Sequence, residues 1–362
     1  MNSDVKITLP RRLKQGRAMM GMSLRALADA TGGAVSHNAI SRYEKGEMAP
    51  GSDALIALAR ALNQPLDFFL RPFRLELSGV SYRKKSVLSE TQKAAIKERA
   101  LDFFERYWEI EEFLGEHRPF QNPLSQTPVQ SPKEIADRAR ELREAWELGP
   151  GPLPNVHELM ELKGIKVHEL KKAPPEFDGF AAETGKGPVV VIADWLNSDL
   201  PRKRMSEVHE LSHVMLKVPE GLKERDEENM IWDFAGELLL PEDAFRDAFG
   251  KCRTAITLGE LIRMKKLFGA SIMAIVRRAQ KLEIINDAAA RKFWIFVNKQ
   301  NWRKVGEPGG DAYQGDESFS RFRTLVYRAV TEEKISLSKG AAFLHTSVNE
   351  LREKLRTENT FT

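Results

Sequence analysis

The sequence predicts a multidomain, mainly α-helical chain: a five-helix domain first, an α+β domain with a small sheet next, and a mainly helical C-terminal region. Three observations lead to it. Helical spacing of apolar residues repeats five times between Leu9 and Phe69, with turn signals between repeats. A β-branched run, PVVVIAD, stands alone among helical patterns as the strongest strand signal. A proline-rich stretch, RPFQNPLSQTPVQSP from Arg118 to Pro132, interrupts the chain. A length of 362 residues allows two or three domains with ample cores.

The first five helices are read at LKQGRAMMGM, SLRALADAT, SHNAISRYEKG, GSDALIALARALN and LDFFL. One long helix, capped by Ser89 and running to His117, is expected to space or join two domains. After the proline-rich stretch come a helix at SPKEIADRARELREAWEL, a loop at GPGPLPN, a helix at VHELMELKG and a strand at IKVHEL. PPEFDGFAAE leads into the strand at PVVVIAD, and helices follow, with one further strand expected at KFWIFVN. The expected domains are residues 1–72, a helical connector and linker at 73–130, residues 131–282, and a helical region at 283–362.

A single cysteine, Cys252, excludes an internal disulfide and a Cys-rich metal cluster. No apolar run of signal-peptide or membrane-spanning length is present, so a soluble, cytoplasmic protein without a membrane partner is expected. Charge is segregated. Residues 1–100 hold 17 Lys and Arg against 9 Asp and Glu, a balance of +8, which leaves −4 for the remainder of a chain whose net charge is +4. A basic N-terminus suits DNA; a solvated surface is the plainer reading.

The chemistry concentrates in PRKRMSEVHELSHVMLKV, residues 201–218. His209 and His213 stand four apart, hence on one side of a helix, where both imidazoles can bind one cation. Glu210 beside them is placed to act as a general base. Val208, Leu211, Met215 and Leu216 give this helix an apolar face. The plainer reading is two helix histidines bonded to ordinary partners. No third histidine follows at short spacing, since His345 is the only later one, so a carboxylate is needed as third ligand. Glu228 is chosen, because Ile231, Phe234 and Leu238 continue from it at helical spacing. Asp233 and Glu237 are candidates for holding the histidine rings, and Glu224, Asp226 and Glu227 are read as solvated charge. The set predicts metal-assisted peptide hydrolysis, with zinc expected and manganese or iron also acceptable.

Near the N-terminus, SLRALADAT, GGAV and SHNAISRYEKG have a helix-turn-helix layout, with Leu27, Ala28, Val35, Ile40 and Tyr43 as core. Ser36, His37, Asn38, Ser41 and Arg42 would project toward base edges and phosphates, and Arg11, Arg12, Arg17, Arg25 and Lys45 suit phosphates. The alternative is a protein-interaction module without DNA. Binding of paired half-sites makes a homodimer an option.

Residues 9–70 resemble the Xre-type, lambda-repressor-like helix-turn-helix family, through LA at 27–28, S-x-x-x-IS at 36–41, YEKG at 43–46 and the later LARAL. Leu24 stands where that family often has a DNA-contacting glutamine, and the GGAV turn is longer than usual. Residues 131–282 resemble the ImmA/IrrE metallopeptidases, through GPLPN, GIKV, FDGF, R-x-R-x-S before HELSH, and ENMIWDFAGELLLP. This resemblance implies a zincin-like fold, zinc held by His209, His213 and Glu228, and a catalytic Glu210. It also implies cleavage of a co-encoded repressor or antitoxin-like protein, which derepresses stress-response, mobile-element or defence genes. Ser212 replaces a usual glycine, and Trp232 a usual asparagine or aspartate. The tail EKISLSKGAAFLHTSVNELREKL resembles a second helix-turn-helix, with Ala341, Ala342, Leu344, Val348 and Leu351 as core. Phe293, Trp294, Phe296 and Trp302 are read as core. The competing reading of the whole is a transcriptional regulator whose peptidase-like domain is a sensor or is inactive.

Overall fold

The computed structural model describes residues 3–73, 75–80, 88–310, 312–317 and 320–358. Five helices open the chain: α1 Ser3–Met19, α2 Leu24–Ala30, α3 His37–Glu44, α4 Ser52–Ala61 and α5 Leu66–Leu70. Leu13, Leu27, Ile40, Leu58 and Phe69 close their core. The serines at the starts of α2 and α3 cap them, Ser23 Oγ accepting from the Ala26 amide and Ser36 Oγ from that of Ala39. Between these helices Gly32 and Gly33 both have positive φ, 66° and 82°, a conformation glycine adopts without a Cβ penalty.

Helix α6, Glu90–Leu114, starts at a capping box formed by Ser89 and Gln92 and stops at Gly115 in the left-handed region. It joins the parts of the chain as a packed hub. Asp102, Glu105, Arg106, Glu109 and Glu111 are all buried on it, against a sequence pattern that reads as a polar helix. Arg12 of α1 reaches Glu105 at 2.6 Å, and Arg71 and Arg106 both pair with Asp102.

The central region begins with α7 Pro132–Ala145 and α8 Val156–Leu162, then the strands β1 Lys166–Leu170, β2 Gly179–Thr184 and β3 Gly187–Ala193. The sheet order is β1-β3-β2. β3 pairs in parallel with β1 (Lys166 opposite Val189) and antiparallel with β2 (Gly179 opposite Ile192). Val189 to Ala193 are wholly buried, as a central strand with both faces covered requires. β2 escaped the sequence reading because GFAAET is poor in β-branched residues; it is held by the hairpin through Gly185 and Lys186.

Helices complete the chain: α9 Leu200–Met215, α10 Glu224–Leu239, α11 Glu242–Phe249, α12 Leu258–Phe268, α13 Ile272–Lys281, α14 Asp287–Lys299, α15 Trp302–Val305, α16 Arg321–Thr331, α17 Leu337–Leu344 and α18 Val348–Glu358. The strand expected at KFWIFVN is instead part of α14. Asn286 caps that helix, and Ala290, Phe293 and Val297 are buried at spacings of three and four, while Ile295 and Phe296 face solvent. The run is apolar, but only a helical stripe of it is used. In the tail, Phe322, Leu325 and Val326 of α16 and Phe343 of α17 pack on Tyr107 and Ile110 of α6. Among the described residues no helix is long and apolar enough to cross a membrane.

Candidate metal centre

Three elements hold α9. Asp199 caps its start by accepting from the Arg202 amide, and Asn122 of the proline-rich loop donates to the Met215 carbonyl at 2.9 Å at its end. In its first turns Lys203 and Arg204 are fully buried. Lys203 bonds Asn197 at 2.8 Å and the Glu317 carbonyl at 2.6 Å; Arg204 pairs with the Glu317 carboxylate and donates to the Leu153 and Pro154 carbonyls, both at 2.9 Å. Two sequence segments far apart, GPLPN and R-x-R-x-S, therefore meet in one structural contact. At the core of the helix Ser212 is also buried, its hydroxyl bonding back to the Val208 carbonyl at 2.6 Å.

Helix α10 packs against both α7 and α9, with Ile231, Phe234, Ala235 and Leu238 buried, and begins three residues before the expected Glu227. This packing brings Glu228 over the two histidines. His209 Nε2 and His213 Nε2 lie 3.2 Å apart, Glu228 Oε2 is 3.6 Å from the first and Glu228 Oε1 3.5 Å from the second. Donors about 2.0–2.2 Å from a tetrahedral zinc would stand roughly 3.3–3.6 Å apart. The side chains present therefore fit a metal ion, and among the described residues they form the one group of three potential ligands within 4.8 Å of one another. Burial disfavours a charged His213, but Glu228, Glu210 and Glu227 outweigh it and hold its pKa above the ordinary value.

Glu210 is buried on the same helix, facing β2. β2 begins with a glycine next to it: a Cβ on Gly179 would clash with the Val191 carbonyl oxygen at 2.7 Å and Ile192 Cδ1 at 2.9 Å, and would stand at ordinary contact, 3.4 Å, from Glu210 Cγ. The FDGF segment thus runs alongside Glu210. Trp232, one turn after Glu228 on α10, stacks on His209 with ring centroids 4.1 Å apart. It braces the imidazole by contact where a hydrogen-bonding side chain was expected. Neither Gly179 nor Trp232 was singled out for this role from the sequence, although spacing of four from Glu228 places Trp232 on the ligand face.

Asp233 and Glu237, candidates for holding the histidine rings, are turned to α13. Asp233 pairs with Lys281 at 2.7 Å, and Glu237 forms a two-pronged pair with Arg278. A wide angle around α10 separates them from Glu228, so they serve helix packing. Glu224 and Asp226 are exposed, in keeping with solvated charge. A second buried histidine contact lies just upstream, where His157 Nδ1 is 3.1 Å from Glu207 Oε1.

On the N-terminal domain, His37, Asn38, Arg42, Arg25 and Lys45 are exposed on or beside α3, and Ser41 is half-buried. Ser36 is exposed but its oxygen is engaged as a cap. Two arginines expected at phosphates have other work. Arg12 is fully buried on Glu105, Gln15 and the Arg71 and Pro72 carbonyls, and Arg17 grips Glu44 through both prongs. Arg11 lies over the Phe73 ring. Of the four aromatic residues read as core, Phe293 and Trp302 are buried, Trp294 is half-buried and Phe296 is exposed. In the tail, Ala341 and Leu351 are buried and Ala342, Leu344 and Val348 partly so.

Comparison with known families places these features. The helix-turn-helix family matches residues 13–69. The IrrE N-terminal-like domain, a peptidase family, matches residues 160–280, which contain the sheet and both metal-centre helices. A search of curated proteins finds no match.

Proposed function

We propose that this chain, an Xre-like helix-turn-helix domain fused to an ImmA/IrrE-like peptidase-family domain, is a DNA-binding zinc metallopeptidase that cuts a regulatory protein. The observation that carries the reading is the ligand triangle of His209, His213 and Glu228 with edges of 3.2, 3.5 and 3.6 Å, set beside a buried carboxylate that is not part of it.

Zinc bound there supplies Lewis acidity, making a water more acidic and polarising the scissile carbonyl. The chain's own groups do the rest. His209 and His213 offer Nε2 from successive turns, Glu228 adds one carboxylate oxygen, and Trp232 fixes the His209 ring. Glu210 accepts a proton from the attacking water and returns it to the leaving amine nitrogen. The N-terminal domain presents Arg25 and Lys45 to phosphates, and His37, Asn38, Ser41 and Arg42 from α3, with Asn38 and Arg42 suited to base edges. The substrate is a repressor or antitoxin-like protein encoded beside this chain, and its cleavage derepresses stress, mobile-element or defence genes.

The test is Glu210→Gln assayed on the protein encoded next to it. Retained metal with loss of cleavage by at least about 100-fold, the usual weight of a general base, is the expected result. Unchanged gene regulation in that variant would favour a regulator that uses the domain as a sensor.

A further inference from the structure

Beside the metal centre lies a cavity of about 690 Å³. Met205 lines it one turn before His209 on α9, and Asn229 follows Glu228 on α10. Trp232 both lines it and stacks on His209, so the cavity shares a wall with the metal centre. Trp294, Arg277 and Arg303, from α14, α13 and α15, also line it.

Charge in this cavity is unbalanced. Of its charged lining residues, Asp233 and Lys281 neutralise each other, and Arg278 is matched by Glu237. Arg277 and Arg303 are exposed and have no ion-pair partner among the described residues. Two uncompensated guanidinium groups over a largely apolar, tryptophan-bearing wall select a ligand with carboxylates beside apolar groups.

We propose that the cavity is the subsite for an acidic peptide segment of the protein substrate, its apolar side chains on Trp232 and Trp294 and its carboxylates on Arg277 and Arg303. This rests on the peptidase reading and adds the charge of the substrate flanking the scissile bond. A phosphorylated ligand of similar charge is the weaker fit. The nearby start of α13, whose amides would hold a phosphate, already donates from Ile272 and Met273 to the Glu307 carboxylate, at 2.8 and 3.3 Å, and Ser271 takes the Ala274 amide.

The test is fluorescence anisotropy on the full-length Glu210→Gln chain, with short labelled peptides of alternating Leu and Glu or Leu and Lys. The acidic peptide should bind roughly tenfold tighter, the increment two partly exposed ion pairs give. Arg277→Glu with Arg303→Glu should erase the preference, as should the milder Arg277→Gln with Arg303→Gln, at unchanged thermal stability. Arg25→Glu with Lys45→Glu, on the DNA-facing surface, should leave it intact. Equal binding of both peptides, a preference that survives the cavity variants or vanishes with the DNA-face variant, or displacement of the acidic peptide by pyrophosphate would overturn the proposal. Because binding is read without turnover, the acidic preference supports the subsite even if the wild-type chain cleaves nothing, a result that would count only against the peptidase reading.

Discussion

Two groups of ionisable side chains among the described residues, one buried and one partly buried, are built on opposite plans. On α6, carboxylates and guanidinium groups alternate: Arg12 with Glu105, Arg71 and Arg106 with Asp102, and His345 3.5 Å from Asp102. Each negative charge there has a positive one supplied by the chain. Between α9 and α10, two imidazole nitrogens and a carboxylate are brought within 4.8 Å of one another with no cationic side chain among them. The first arrangement balances its own charge and fastens the N-terminal domain to the rest; the second has a donor set that fits a cation from outside. A cluster of titratable groups thus indicates a site by how its charges balance and how closely its donor atoms gather, more than by burial.

The largest effect that would break the comparison is at the self-satisfied cluster. Glu105→Ala leaves the fully buried Arg12 without its carboxylate and should cost about 3–5 kcal/mol in chemical denaturation, with no change in metal affinity. A loss of metal binding that tracks this destabilisation would show that the two clusters are not independent.

Next comes the strand beside Glu210, the carboxylate proposed as the general base. Gly179→Ala forces a methyl against the Val191 oxygen and Ile192 Cδ1, at 2.7 and 2.9 Å, and should destabilise by about 1–3 kcal/mol. Because Glu210 Cγ is the third neighbour, the proposed peptidase activity should fall further than the folded fraction does; equal falls would reduce Gly179 to a packing residue.

A smaller effect sharpens the comparison through pH. His157 is buried, and burial opposes its charge, but Glu207 outweighs that and raises its pKa. A raised folded value means that the pair's stabilisation is fully present below the unfolded value, about 6.5, and is lost as pH rises through the folded one. With a chelator present to keep metal out of the neighbouring site, the melting temperature of the wild type should decline above neutrality more steeply than that of His157→Gln. Parallel curves would contradict the assignment.

Much of this was legible in the sequence where a local rule was enough. Ser89 before a long helical pattern and the β-branched run of β3 each declare an element without tertiary help. The His-Glu-x-x-His spacing names its own geometry, and the apolar stripe of α10 pointed to Glu228. What remained hidden depended on contacts between distant segments. The burial of the charged residues of α6 is not legible in the sequence because many of their partners lie tens to hundreds of positions away, as for Arg106 with the Phe343 carbonyl. Asp233 and Glu237 were given to the histidines because their side of α10 could not be placed before α13 was. KFWIFVN read as a strand on composition, and the buried stripe of Ala290, Phe293 and Val297 reverses that.

The measurement that bears most directly on the central claim is metal content per chain, by mass spectrometry of the purified protein after dialysis against trace zinc. One zinc per chain in the wild type and in Glu210→Gln, with less than about a tenth of that in His213→Ala and a 10- to 1000-fold weaker affinity in Glu228→Ala, is the expected pattern. A wild-type chain that holds no metal, or one whose metal is indifferent to His213→Ala and Glu228→Ala, would contradict it.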